Sequence, residues 1–314
     1  MVDNLSVLVT GGAGFLGSHL CGKLLELNYK VICVDNFYSS RIKNIECFKN
    51  DSNFIFLEQD VCNLNCDYQI DQIYNLACPA SPIHYQSDPV KTIQTNILGS
   101  INVLELAKKN NAKVLQASTS EVYGDPNLSP QKENYWGNVN PIGIRSCYDE
   151  GKRAAETLFF DYNRQYNLKI KVCRIFNTYG PNMAKNDGRV ISNFIIQALN
   201  NEDLFIYGDG FQTRSFCYVD DLIEGLVNVM NTDDSFMGPI NLGNDLELSI
   251  NDIAKKIIDL SNSSSSIKYI DSVSDDPMQR KPDLSLAHKI IDWNPSTKLD
   301  EGILLTIDYF KTII

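Results

Sequence analysis

The sequence predicts an α/β chain, a doubly wound parallel sheet followed by a smaller carboxyl-terminal domain. Three observations carry the prediction. Short apolar runs, several of them β-branched, alternate with amphipathic helical stretches through the first half. Glycines three apart, Gly11, Gly14 and Gly17, join the first run to the first helical pattern. After about Asn177 the alternation gives way to pieces punctuated by glycine and proline.

Residues 6–10 read as the first strand, short and apolar enough to be buried on both faces. Leu16, Leu20 and Leu24 then fall on one side of a helix, and further strands follow at 30–34, 54–59 and 72–75. Ile93, Ile97, Ile101 and Leu104 recur at four, four and three residues, which puts one apolar stripe on a helix of about 89–109. Strands at 113–117 and 170–174 complete the alternation. Beyond them come Tyr179-Gly-Pro, Asp187-Gly, Tyr207-Gly-Asp-Gly and Gly238-Pro, with a return to the sheet near 239–242. A helix at 250–260, a polar loop at 261–266 and a strand at 267–270 follow. The expected division is a dinucleotide-binding unit of residues 1–177 with 213–245, and a substrate unit of 178–212 with 246–314.

Composition narrows the function. With 314 residues, 43% hydrophobic and 21% charged, the chain reads as an ordinary globular protein and not a disordered one. No stretch nears the ~18 apolar residues of a membrane helix. The start from Met1 shows no basic region, apolar core or cleavage site, so a cytoplasmic protein is expected. A net charge of -11 disfavours nucleic acid and requires that an anionic ligand meet a local basic pocket. Nine cysteines, an odd number and scattered, read as reduced thiols. Cys62 and Cys66 have no second pair or nearby histidine, and His19, His84 and His288 lie far apart, so no metal site is expected.

Two patterns carry chemistry. Thr10-Gly-Gly-Ala-Gly-Phe-Leu-Gly-Ser18 makes a tight strand-to-helix turn whose helix start suits a pyrophosphate, and the next strand ends at Asp35, 18 residues past Gly17. A carboxylate there accepts ribose hydroxyls and repels a 2′-phosphate, which favours NAD over NADP; Arg41, just beyond, is the residue that could serve a 2′-phosphate instead. Tyr148 and Lys152 stand four apart on one helix face. A phenol with a pKa near ~10 needs a cation to act as a base at neutral pH, and Lys152 and a nicotinamide could supply it.

These residues, with Val34-Asp-Asn-Phe37, Pro79-Ala-Ser-Pro82, Ser118-Thr-Ser-Glu-Val-Tyr-Gly-Asp125 and Asn140-Pro-Ile-Gly143, are similar to the extended short-chain dehydrogenase/reductases that act on nucleotide sugars. Cys147-Tyr-Asp-Glu-Gly-Lys-Arg153, Arg174-Ile-Phe-Asn-Thr178, Asp187-Gly-Arg-Val190, Asp275-Asp-Pro and Arg280-Lys-Pro-Asp283 continue the likeness and bring it nearest to the UDP-glucuronate decarboxylases. The resemblance implies a Rossmann sheet, NAD as a recycled cofactor, and oxidation at C4 of the sugar followed by loss of carbon dioxide to give UDP-xylose. It implies Tyr148 as base, Lys152 lowering its pKa, Thr119 bonded to the 4-oxygen, Ser120 and Glu121 flanking C5, and Arg280 on the carboxylate or the diphosphate. The cofactor residues it implies are Gly11, Gly14, Phe15, Leu16, Gly17, Asp35, Asn36, Asp60, Val61, Leu76, Ala77, Tyr148 and Lys152. For the UDP-sugar they are Asn177, Arg189, Val190, Tyr207, Arg214 and Arg280.

It further implies a homodimer through the helices around 93–104 and 148–166, with neither nucleic acid nor membrane as partner. Animal and plant relatives often carry an amino-terminal anchor, and none is expected here. The chain departs from the pattern at Asn75, where relatives often have histidine, at Cys78 for serine, and at Ser39-Ser40 for Thr-Gly. The alternatives are an NDP-sugar 4,6-dehydratase, in which many members carry an acid at the position of Ser120, a 4-epimerase, for which Glu121 has no use, and a non-catalytic NAD-sensing protein.

Overall fold

The computed structural model describes residues 5–271 and 279–314; the Asp275-Asp-Pro motif and the first four residues lie outside them. The first half lays down β1 (Ser6–Thr10), α1 (Phe15–Glu26), β2 (Lys30–Asp35), β3 (Phe54–Glu58) and β4 (Gln72–Asn75). Then come α2 (Pro82–Ser87), α3 (Pro89–Gln94), α4 (Ser100–Asn110), β5 (Lys113–Thr119), α5 (Ser146–Tyr166) and β6 (Ile170–Ile175). The second half adds β7 (Thr178–Tyr179), α6 (Val190–Leu199), β8 (Leu204–Tyr207), β9 (Thr213–Ser215), β10 (Cys217–Tyr218), α7 (Val219–Met230) and β11 (Ile240–Leu242). It ends with β12 (Glu247–Ser249), α8 (Ile250–Ser261), β13 (Ile267–Ile270), β14 (Gln279–Arg280), α9 (Ser285–Ile291) and α10 (Leu299–Lys311).

Seven strands form one parallel sheet in the order β11-β6-β5-β4-β1-β2-β3. Its central strands are buried on both faces because they carry almost nothing but Val, Leu, Ile and Cys: Val7, Leu8, Val9, Val31, Ile32 and Cys33 have no exposed surface. The order reverses beside β1, and at such a reversal the carboxyl ends of the strands leave a crevice between the diverging connections. Smaller sheets sit on that crevice. Strand β9 pairs with β12 and β14, which sets Arg214 beside Arg280, and β8 pairs with β13.

The helix expected at 89–109 is not uniform. A five-residue π turn, Thr95–Gly99, separates α3 from α4. It lies against Val61, where a side chain on Gly99 would stand 2.7 Å from Val61 Cγ1. The wider turn rotates the apolar stripe, so that Leu104 is buried, Ile93, Ile97 and Ile101 are half-buried, and Leu98 is exposed. Strand β5 runs two residues further than the alternation suggests, carrying Ser118 and Thr119 to the mouth of the crevice.

Candidate active site

The glycine turn between β1 and α1 is shaped by how closely backbone approaches backbone. Gly11 has φ +68, and a Cβ on it would lie 3.0 Å from the Ala77 backbone; one on Gly17 would lie 2.1 Å from the Gly11 carbonyl oxygen. Helix α1 starts at Gly14 with no side-chain cap and no acid in its first turn. Its first N–H groups and the positive end of its dipole are therefore left for an anion. Asp35 ends β2 and accepts from the Ala13 N–H (3.0 Å), the Phe37 N–H (2.9 Å) and the Ser40 hydroxyl (2.6 Å). A carboxylate so held is oriented without being saturated, since its two oxygens offer about four acceptor positions. The cradle fits a dinucleotide: an open helix start, glycines that allow close approach, and a fixed carboxylate one strand away.

Further along, Asp60 takes Asn36 Nδ2 at 3.1 Å and Lys91 Nζ at 2.5 Å. Burial alone would raise its carboxyl, but Lys91 and the Cys62 N–H hold it below its usual range. The departures from the family pattern are absorbed locally. Asn75 links Thr10 to Gln116 inside the sheet, and Ser40 serves Asp35. Arg41 does not turn to Asp35. Its Nη2 donates to the Met183 carbonyl (3.0 Å) and the Tyr309 hydroxyl (2.7 Å), so it ties the cofactor side to the carboxyl-terminal helix.

Opposite the glycine turn, Tyr148 and Lys152 project from the first turns of α5, 6% and 4% exposed. The Tyr148 ring stacks on Tyr85 at 5.0 Å, and Lys152 Nζ donates to the Ala117 carbonyl at 2.8 Å, 5.8 Å from the centre of the Tyr148 ring. The expectation was that Lys152 draws the phenol down. In the protein alone, burial and the neighbouring Cys78 thiol push Tyr148 up, and a hydrogen bond with Thr119 works against them. Burial also lowers Lys152. Behind them, Ser118 and Arg174 both bind Glu156, the latter through two contacts of 3.0 and 2.8 Å, which fixes the end of β5 against α5.

Glu121 follows in the 3-10 turn after β5. It is clamped between two arginines, Arg145 through Nη2 at 2.6 Å and Arg280 through Nη1. Burial opposes its charge, but the two guanidinium groups outweigh burial and hold the carboxyl well below its ordinary range. Arg280 is 4% exposed, and its Nε and Nη2 have no hydrogen-bond partner among the described residues. Two buried donors without an acceptor are costly, and they are the form an anion site takes before its anion arrives.

The facing wall comes from the second half. Arg189, at the start of α6, makes a two-point contact with Asp187 (2.5 and 2.8 Å) and lies over the Phe15 ring at 5.5 Å. Arg214 is buried and Tyr207 half exposed. A single cleft of about 610 Å³ is lined by every residue the sequence nominated, including Ser120, Val61, Leu76, Asn177 and Val190. Sequence reasoning missed Arg145, Tyr85, Asp149 and Lys91. Arg145 stands two residues past the Asn140-Pro-Ile-Gly143 motif and Asp149 lies within the Cys147–Arg153 motif, which were signals for them; Tyr85 and Lys91 had none.

The comparisons with known proteins agree with this geometry. The chain is 51% identical over 311 residues to UDP-glucuronic acid decarboxylase 5 of Arabidopsis thaliana, which covers 98% of this chain and 90% of that protein. It is 50% identical over 309 residues to UDP-glucuronic acid decarboxylase 1 of Xenopus tropicalis, covering 98% and 73%. The chain belongs to the UDP-glucuronic acid decarboxylase family. The broader family described as GDP-mannose 4,6 dehydratase matches residues 8–306 of this decarboxylase-family chain.

Among solved structures, the chain superposes with a TM-score of 0.87 and 31% identity on UDP-glucuronic acid 4-epimerase from Bacillus cereus in complex with UDP-glucuronic acid and NAD, covering 99% and 100%. On UDP-glucose 4-epimerase of Thermotoga maritima with UDP-glucose the TM-score is 0.90 at 29% identity, covering 98% and 99%. This decarboxylase-family chain and the two epimerases thus share one scaffold. No helix among the described residues is long and apolar enough to cross a membrane.

Proposed function

We propose that the chain converts UDP-glucuronate to UDP-xylose and carbon dioxide, with NAD as a recycled cofactor. The observation that carries the reading is the buried Arg280, with two donors unmet, lining the same cleft as Thr119 and Tyr148. A C5 carboxylate can meet both donors at once with a full negative charge, which a neutral sugar's hydroxyls cannot match.

Gly11, Gly14, Gly17 and Asp35 would hold NAD, which would supply a hydride acceptor for C4 and a hydride for its later reduction, so that the net reaction is redox-neutral. Tyr148 takes the 4-hydroxyl proton while Thr119 bonds to the same oxygen and Lys152 stabilises the phenolate. A ketone at C4 makes the C5 carboxylate a β-keto acid, whose carbon–carbon bond breaks with its electrons flowing into the C4 oxygen. Thr119 and Tyr148 then donate to the enolate oxygen that forms. Arg280 orients the carboxylate and Ser120 borders C5. Glu121, held as an anion, keeps Arg280 in place. Arg189, Val190 and Tyr207 from the substrate unit of 178–212 with 246–314, joined by Asn177 and Arg214 from the edges of the cofactor unit of 1–177 with 213–245, hold the UDP.

A homodimer and a cytosolic location complete the proposal. The exposed Leu98 and Tyr166 and the half-buried Ile93, Ile97 and Ile101 support pairing of α3, α4 and α5 with a second copy. None of the nine cysteines is in a disulfide, in keeping with a reducing compartment. Incubation with UDP-glucuronate, and separately with UDP-glucose, followed by mass spectrometry tests the reaction. UDP-xylose from the first, with no accumulation of NADH, is expected; a 4-keto-6-deoxy sugar from the second would overturn it in favour of a 4,6-dehydratase.

A further inference from the structure

Decarboxylation consumes one proton that Thr119 and Tyr148 do not provide. The proton Tyr148 takes from the 4-hydroxyl returns to O4 when the ketone is reduced. At C5 the bond to the carboxylate breaks, its electron pair passes through the enolate, and a new C–H bond forms. A carboxylate and one proton become carbon dioxide and a C–H bond, so every turnover draws a proton from solution. This step rests on the decarboxylase reading above. Glu121, the nearest acid in sequence to Thr119, is held as an anion by two arginines and has no proton to give.

A second cavity, of about 200 Å³, lies behind that clamp and has room for several waters. Glu121, Arg145 and Arg280 line both it and the main cleft, so these side chains form the partition between the two spaces. Asp149 lines the second cavity and is 7% exposed. Its Oδ2 lies 3.8 Å from Arg145 Nε, and its Oδ1 is buried with no hydrogen-bond partner among the described residues. The charged groups that act on it come from every neighbouring element: Glu121 after β5, Arg145 before α5, Arg280 on β14 and Glu150 on its own helix, while the Tyr85 phenol faces it from α2. Burial is the largest influence and Glu121 adds to it. The two arginines oppose both, and the carboxyl is pushed up to about 7.

We propose that this second cavity is the proton inlet of the site, and that Asp149 is the positioning residue that holds the incoming proton and passes it, through water at the Glu121–Arg145–Arg280 partition, toward C5. The residue touches neither sugar nor cofactor and acts through the water beside it. The test uses the full chain with NAD and UDP-glucuronate, following carbon dioxide and UDP-xylose from pH 5.5 to 9. Absence of carbon dioxide from the wild type overturns the decarboxylase reading and the inlet with it. With the wild type active, Asp149→Asn should lower turnover about 10- to 100-fold, the low end of general-acid effects. It should leave KM nearly unchanged and remove the decline of turnover as pH rises through about 7. Asp149→Glu should restore both. Val139→Phe, which fills the cavity and keeps Asp149, should lower turnover without moving that midpoint. Carbon-13 NMR of aspartate-labelled wild type should show one carboxyl titrating near neutrality, a readout that stands even if Asp149→Asn fails to fold. Wild-type turnover and pH profile in Asp149→Asn, or no aspartate titrating above pH 5.5, overturns the inlet alone.

Discussion

The cofactor wall of the cleft, from Gly11 to Gly17, is made of main chain, whereas the wall where Glu121, Arg145 and Arg280 meet is made of charge. The first works by what is missing: no Cβ at Gly11 or Gly17, no cap and no acid at the start of α1. The second works by pairing, and its key contact joins residues 159 apart in sequence. One wall is sensitive to added volume and the other to lost charge. Tyr148 stands between them, placed by α5, and the charge of Glu121 reaches it from the second wall and raises its phenol.

The largest expected effect is at that meeting point. Tyr148→Phe should lower turnover by more than about 10³-fold, since it removes the group that moves the O4 proton. UDP affinity, measured by calorimetry, should stay within threefold. Appreciable turnover in a well-folded variant would move the base to another residue. Next, on the charged wall, Arg280→Ala should weaken UDP-glucuronate by ~2–5 kcal/mol, roughly 30- to several-thousand-fold, and plain UDP hardly at all. Equal losses for UDP-glucuronate, UDP-glucose and UDP would place Arg280 on the diphosphate. That outcome would sharpen the comparison by extending the charged wall down to the nucleotide.

The same contrast explains what was legible in the sequence. The cofactor wall is written in contiguous residues, because a tight turn, a helix start and a strand-end carboxylate are local needs with fixed spacing. Strands, glycine turn and Asp35 could therefore be read from periodicity and motif. The charged wall is not contiguous. Glu121, Arg145 and Arg280 were visible only as separate residues or not at all, and the fact that one carboxylate pairs with both arginines appears only when β9 and β14 pair and carry Arg280 across the sheet to β5. The π turn at Thr95–Gly99 escaped for a related reason: its apolar positions keep helical spacing, and the contact with Val61 that favours the wider turn is a tertiary one. Arg41 looked like a phosphate ligand because it follows β2, but its partners, Met183 and Tyr309, come from the far end of the chain.

On the main-chain wall, Gly17→Ala should destabilise by about 1–3 kcal/mol, the usual range for forcing a carbon into a packed space. The added Cβ would sit 2.1 Å from a carbonyl oxygen that cannot rotate away. NAD affinity should fall with it, while affinity for UDP survives in the folded fraction. Thermal unfolding with and without NAD measures both. An alanine variant as stable as the wild type would show that the turn is looser than its glycines imply, and the contrast between the two walls would fail.

The smallest effect lies inside the charged wall, where two neighbouring carboxyls respond to pH with opposite sign. Glu121 sits below its ordinary value of 4.5, so the stability it contributes is full above that pH and is lost as the pH falls further into the acid range. Asp149 sits above its ordinary value of 3.8, at about 7, so its contribution is full below 3.8 and is lost as the pH rises through about 7. Between those limits the arginines hold one carboxylate at the expense of the other, since Glu121 raises Asp149 and both compete for Arg145 and Arg280. Asp149→Asn removes the group that must be discharged and leaves the clamp on Glu121 intact. Relative to the wild type, Asp149→Asn should therefore gain thermal stability between pH 5 and pH 8, whereas Glu121→Gln, which lacks an anion already fully charged in the wild type at pH 5, should be the less stable protein at pH 5 already, its deficit closing only as the pH falls below 4.5. Unfolding curves of the three proteins at the two pH values decide the matter. A difference between Asp149→Asn and wild type that stays constant with pH would mean that Asp149 is already ionised at pH 5, and the charged wall would then hold two anions against two cations with no proton to spare.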